Sequence, residues 1–180
     1  MITTAAKVAD YILCYFHERG DEISNLKLQK LIYYCQGWFL GLHREPLFYD
    51  SLEAWKRGPV QSKLYKRFKT YQYHPIDEDP ACPNFDDSRV KPLVDYILDK
   101  YGCYTAIELE KKTHQEPPWL DARQGLKPTD ESTNIISNAV MEDFFKKEAQ
   151  REETDEKQAM MILGELSFEE ALPAERTGDV

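Results

Sequence analysis

The run Ile23-Ser24-Asn25-Leu26-Lys27-Leu28-Gln29-Lys30-Leu31-Ile32-Tyr33-Tyr34-Cys35-Gln36-Gly37-Trp38 carries the strongest helical period in the chain. Ser24 is a good N-cap, because its hydroxyl can accept from a first-turn amide that has no partner inside the helix. Leu28, Leu31, Ile32, Cys35, Phe39 and Leu42 then fall at offsets 0, 3, 4, 7, 11 and 14, one face of a 3.6-residue repeat. Tyr34 and Trp38 form an aromatic stripe beside that face, so this helix is expected to be buried on more than one side. Gly37 and Gly41 are four apart, and each costs ~1 kcal/mol against Ala in an exposed helix. Close packing of another element explains them better than chance.

Working outward, a first helix is expected after Thr3 and Thr4, with Ala5, Ala9, Ile12 and Phe16 on one face, widened by Val8 and Leu13. On the other side the helical pattern breaks over residues 44–58. Pro46-Leu47-Phe48 and Leu52-Glu53-Ala54-Trp55 are short apolar pieces that can pair as a small hairpin, near residues 46–56. Gly58-Pro59 reads as the start of a third helix, with Pro59 at its first position and Val60, Leu64, Phe68 and Tyr71 on its apolar face. Residues 72–88, with three prolines and five acidic residues, read as a long acidic loop. Val90, Val94, Ile97 and Tyr101 mark a fourth helix that stops at Gly102. Thr105-Ala106-Ile107-Glu108 is a capping box opening a fifth. Pro117-Pro118 begins a short turn carrying Trp119, and Ile135, Ile136, Ala139, Val140 and Phe144 define a last core helix. The expected fold is mainly α: a compact multi-helix domain over residues 1–149, with a small hairpin. Residues 150–180 form an acidic tail of three basic against nine acidic side chains, net −6, with a short apolar stripe at Ala159, Ile162, Leu163 and Leu166.

Composition narrows the function. The chain has 180 residues, 42% hydrophobic and 31% charged, enough for one domain with its own core. Its net charge of −9 disfavours non-specific binding to nucleic acid or to anionic membranes. No apolar run approaches the ~20 residues that span a bilayer, and the N-terminus lacks the features of a signal peptide, so the cytoplasm is the expected location. Cys14, Cys35 and Cys103 sit in apolar or aromatic stretches and are expected as buried structural thiols; Cys82 lies in the proline-rich loop. No C-x-x-C pair, glycine-rich phosphate loop, G-x-S-x-G elbow or H-E-x-x-H is present, and His17, His43, His74 and His114 lack metal-ligand spacing. No cofactor, metal or catalytic residue is therefore expected, and the chain is not read as an enzyme. His114, beside Glu116 and Trp119, could serve as a general base. Ordering a loop is the commoner role for such a histidine, and no nucleophile can be named with it.

Two features can bind. Lys56, Arg57, Lys63, Lys66, Arg67 and Lys69 occur without an intervening acid, interleaved with Tyr65 and flanked by Trp55, Tyr71 and Tyr73. Such a surface suits a protein partner or a nucleic-acid groove, or is a solvated face paired with the acidic loop. The tail is too small to make a core of its own.

The signature run above, together with Pro46-Leu47-Phe48, Glu53-Ala54-Trp55-Lys56-Arg57-Gly58-Pro59-Val60, Leu64-Tyr65 and Thr113-His114 with Pro118-Trp119, resembles the Panacea domain of antitoxins over roughly residues 5–145. The resemblance implies an antitoxin of a bacterial or prophage toxin–antitoxin pair that neutralises its toxin by direct protein contact, and it implies no catalytic residue. The expected partner is a cognate toxin in a hetero-oligomer, not nucleic acid and not a membrane. Trp55, Lys56, Arg57, Lys63 and Arg67 are the expected partner-binding residues, since Trp, Tyr and Arg dominate interface hot spots. The alternative is a proteolytic adaptor that delivers a partner for degradation with the acidic tail as its handle. DNA binding through the basic helix is a further alternative, against which the overall acidity weighs.

Overall fold

The computed structural model describes residues 2–163, with side chains through Asp155. Seven α-helices and one two-stranded antiparallel sheet occur among them: α1 (Ala5–His17), α2 (Asn25–His43), β1 (Glu53–Trp55), β2 (Gly58–Val60), α3 (Ser62–Arg67), α4 (Val90–Tyr101), α5 (Ala106–Thr113), α6 (Pro117–Ala122) and α7 (Asn138–Leu163), with a 3-10 turn at Lys69–Tyr71. The fold is mainly α with a small hairpin. Helix α2 runs through the middle, and α1, α3, α4, α5, α7 and β2 all pack against it. Nearly every residue from Leu28 to Gly41 is buried, which is what two adjacent apolar stripes on one helix require. Its last periodic residue is the exception: Leu42 is 49% exposed, on the wall of an open cleft shared with Tyr96 of α4 and Ala149 of α7.

Local chemistry sets the helix starts. The side chains of Thr4 and Ser24 accept from Lys7 N and Lys27 N, and the capping box of Thr105 and Glu108 is complete. Pro117 stands in the first turn of α6, where a missing N–H loses nothing. Gly37 and Gly41 form the crossing of α2 and α7. A Cβ on Gly37 would overlap the Phe145 ring, and one on Gly41 would lie 2.7 Å from the backbone of Phe145 and Lys146.

Three expectations are corrected. The hairpin pairs β1 with β2 in the register Glu53↔Val60, Ala54↔Pro59 and Trp55↔Gly58, around a Lys56-Arg57 turn, and does not use Pro46-Leu47-Phe48. Pro59 fits a strand here because its partner Ala54 faces the other way: Ala54 N donates to Asn134 O at 2.8 Å and Ala54 O accepts from Arg123 Nη1 at 3.0 Å, so no donor is missed at Pro59. Gly58, at φ +97°, lets the strand leave the turn. The third helix therefore starts at Ser62, with the side chain of Gln61 capping Leu64 N. In the last helix, Met141 and Phe145 make the buried face. Ile136 is buried but precedes the helix, and Ile135 is 56% exposed, because residues 134–136 run beside β1 as an extended segment.

Two of the three cysteines expected as buried thiols differ from expectation. Cys35 is a buried thiol, Cys103 is exposed at the end of α4, and Cys14 is buried but joined to Cys82 in a disulfide. No helix among the described residues is long and apolar enough to cross a membrane. Helix α7 continues through residue 150 to Leu163, while the stripe from Ala159 to Leu166 and most of the acidic tail lie outside the described side chains.

Candidate functional site

A row of polar residues runs along α2 beside its apolar stripes, and its members hold the hairpin, the start of α3 and the chain around them. Asn25 Nδ2 donates to Tyr65 O at 3.2 Å, and Gln29 accepts from Gln61 N at 2.9 Å while donating to Asn25 Oδ1 at 3.0 Å. Lys30 Nζ donates to Pro59 O at 3.0 Å. Gln36 clasps Phe48, donating to its O at 3.1 Å and accepting from its N at 3.2 Å. Tyr33 and Tyr34 both donate to the carboxylate of Glu116, at 2.7 and 2.8 Å. The segment 48–65 and the turn before α6 thus hang from one helix by buried hydrogen bonds, which are costly to leave unmade.

Burial governs the ionisation of this cluster. Lys30 has no exposed surface, and desolvation brings its amine down to about 7, with Glu110 opposing the shift. Desolvation raises Glu116 to about 7 although the two tyrosine hydroxyls favour its charged form. Burial also lowers His114 and favours neutral imidazole. That ring stacks on Trp119, 4.1 Å between centroids and 14° between planes, and its Nε2 is buried without a hydrogen-bond partner. Trp119 in turn donates from Nε1 to Trp55 O at 2.9 Å, and Arg123 reaches from α6 to Ala54 O, Lys127 O and Asp130 O. The hairpin is therefore fixed from behind by Lys30, Trp119 and Arg123.

Outside this cluster, a cleft of about 420 Å³ opens between the hairpin turn, the first turns of α2 and α3. Asn25, Gln29, Trp55, Lys56, Arg57 and Tyr65 line it. Trp55 meets Tyr65 edge-to-face at 4.8 Å. The Arg57 guanidinium grips Glu110 with contacts of 2.8 to 3.4 Å, and Lys56 lies 3.9 Å from Glu131. The structure brings three of the expected binding residues, Trp55, Lys56 and Arg57, to this one cleft. Lys63 and Arg67 do not line it. Lys63 pairs with Asp50 at 2.9 Å, and Arg67 bridges Asp10 at 2.6 Å and Glu78 at 2.8 Å. The polar row on α2 escaped the sequence reading, although Asn25, Gln29, Tyr33 and Gln36 recur at a helical spacing. A polar stripe at that spacing normally signals a solvated face.

The family model described as "Antitoxin SocA-like, Panacea domain" matches residues 28–120. The chain belongs to this family. The matched Panacea stretch begins within α2, past Asn25, and ends in α6 just beyond Trp119, so it contains the hairpin, most of the cleft lining and the cluster of Lys30, His114 and Glu116. The chain is also 50% identical over 64 residues to the antitoxin SocA of Caulobacter vibrioides (strain NA1000 / CB15N). That alignment covers 36% of this chain and 34% of the relative, so it spans about a third of the relative's length. No solved structure matches the chain.

Proposed function

We propose that this Panacea-family chain is the antitoxin of a toxin–antitoxin pair, and that it neutralises a toxin protein by direct contact at the hairpin cleft without catalysing a reaction. Membership of an antitoxin family supports the role, and the observation that carries the site is Trp55-Lys56-Arg57 presented at the turn of a hairpin braced from behind. An aromatic ring and a guanidinium held in place lose little conformational freedom on binding, which is what makes such residues hot spots. Lys56, Arg57, Lys63 and Arg67 are already paired with carboxylates, and the chain is acidic, which favours a protein partner over a phosphate backbone. His114 fits a structural part: stacked on Trp119 and buried at Nε2, it braces the turn ahead of α6.

Trp55→Ala combined with Arg57→Ala is expected to abolish relief of toxicity when the chain is co-expressed with the product of its neighbouring gene. The same pair should weaken toxin binding by about 100-fold or more, from at least ~2 kcal/mol for one hot-spot residue and more for two. Lys63→Ala, outside the cleft, should leave both unchanged. Full rescue by the double variant, with an unchanged circular-dichroism spectrum, would remove the cleft from the account. Arg67 is unsuited to charge reversal, because an acid there would face Asp10 and Glu78 and disturb the fold itself.

A further inference from the structure

Cys14 lies on α1 and Cys82 in the loop between the 3-10 turn and α4, 68 residues apart in sequence. The fold brings their Cα atoms to 5.4 Å, within the window a disulfide needs, and joins them. We propose that Cys14 and Cys82 are a reversible thiol–disulfide exchange site for low-molecular-weight thiols and disulfides, and that their bond fastens the acidic loop to α1. Accessibility assigns the roles. Cys14 is buried on α1, whereas Cys82 is exposed and lines a cleft of about 780 Å³ with Tyr15, Glu18, Arg19, Phe85 and Lys91. Arg19 is seated over the Tyr15 ring at 3.5 Å and Lys91 is paired with Asp95 at 2.6 Å, while Glu18, Asp87 and Asp99 also line the cleft, so access to the Cys82 sulfur and not charge attraction admits a small thiol. Glu18 Oε1 lies 3.6 Å from Cys82 Sγ.

On oxidation the Cys82 thiolate attacks a disulfide RSSR, forming a Cys82–SR bond and releasing RS⁻. The Cys14 thiolate then attacks Cys82 Sγ, forms the Cys14–Cys82 bond and releases the second RS⁻. Two electrons pass from the protein dithiol to RSSR, and the two thiol protons end on two RSH. Reduction runs in reverse, with the incoming thiolate attacking the exposed Cys82 sulfur. The other two cysteines do not compete: burial pushes the Cys35 thiol up and encloses it, and Cys103 has no cysteine bonded to it.

The mechanical consequence follows from what else holds the loop. Ile76 is buried, with its N–H on Ile23 O at 2.9 Å, and α4 begins at Val90; no helix or strand lies between them. Residues 77–89 are otherwise tied down by Arg67–Glu78, His17–Asp79, Lys7–Asp86 and Arg89–Glu45, by Tyr71 Oη donating to Asp77 O at 3.4 Å, and by the Phe85 ring 5.4 Å from Tyr11. Exposed pairs of this kind add little. The covalent bond therefore decides how firmly the loop is held.

The full chain would be equilibrated in glutathione buffers of graded reduced-to-oxidised ratio, quenched by alkylation and mapped by mass spectrometry. The expected result is a joint two-electron transition of Cys14 and Cys82, with Cys103 as the alkylation control. In Cys14→Ser a glutathione mixed disulfide should collect on Cys82, and in Cys82→Ser little should collect on Cys14. A protease that cuts after acidic residues should cleave within 77–87 about ten-fold faster in the reduced chain than in the oxidised one. Free thiols in fully oxidised glutathione, a bond that resists fully reduced glutathione, or equal mixed-disulfide formation at both positions would overturn the exchange site. Equal cleavage rates would overturn the fastening. Titration of the reduced chain with zinc alone tests the other chemistry open to Cys14, Glu18 and Cys82, whose ligand atoms lie within 4.8 Å of one another; a tight one-to-one zinc complex that blocks disulfide formation would also overturn the proposal.

Discussion

Gly37→Ala is expected to destabilise the protein by about 3 kcal/mol or more, at the upper end of what one methyl group does in a packed core. The added carbon would overlap the Phe145 ring. That ring cannot step aside, because Tyr33, Tyr34, Trp38 and Phe144 surround it with centroids 5.0 to 6.2 Å away. Phe145→Ala alone should cost roughly 3–5 kcal/mol by leaving a cavity. The two changes together should cost less than their sum by about 1–3 kcal/mol, since the smaller residue on α7 makes room for the larger one on α2. Urea unfolding of the four proteins of this cycle measures the coupling. Strict additivity would mean that α7 does not cross α2 at Gly37. Because α2 also carries the polar row that holds the hairpin, the Gly37 variant should lose partner binding in step with its folded fraction.

The second large effect is a dependence of stability on pH with two limbs that meet near neutrality. Glu116 is raised from 4.5 to about 7 by burial, so the folded state holds a proton that the unfolded chain gives up between those values. Its contribution is fully present below pH 4.5 and is lost as pH rises through 7. Lys30 is lowered from 10.5 to about 7, so the unfolded chain holds more protons between 7 and 10.5. Its contribution is lost as pH falls through 7 and grows as pH rises toward 10.5. At 1.36 kcal/mol per pKa unit, the acid limb should fall by roughly 2 kcal/mol from pH 5 to 7 and the alkaline limb rise by roughly 2 kcal/mol from 7 to 9. Glu116→Gln should remove the first limb and Lys30→Met the second, read as differences from the parent in urea unfolding at each pH. Parallel profiles for parent and Lys30→Met would show that the amine is not enclosed. Both variants keep the hairpin's own sequence, so a change in partner binding near pH 7 would trace to how firmly the hairpin is seated.

Much of the helical fold was legible in the sequence because its determinants are local. Ser24, Thr4 and the Thr105/Glu108 box cap helices through residues three positions away, and the apolar periods of α1, α2 and α4 specify a face without reference to a partner. The hairpin shows where this stops. Gly58-Pro59 is a good helix start by local rules, and it is a strand because Asn134 and Arg123, far along the chain, take the backbone groups of Ala54 opposite Pro59. Of the candidate residues, adjacency in sequence alone ensured that Trp55, Lys56 and Arg57 stay together. Lys63 and Arg67 belong to α3, and the carboxylates of Asp50, Asp10 and Glu78 draw them to other parts of the surface.

The sequence by itself determined most of the helices, their caps, the need for close packing at Gly37 and Gly41, and the family, since these signals lie within a few turns of one another. Only the tertiary structure decided that the polar letters of the signature face inward. Lys30, Tyr33 and Gln36 alternate with core residues and look solvated one by one, but Pro59, Glu116 and Phe48 supply the hydrogen bonds that let them be buried. The pairing of Cys14 with Cys82 belongs to the same class: nothing near either cysteine in sequence points to the other, and contact comes only when the acidic loop folds back onto α1.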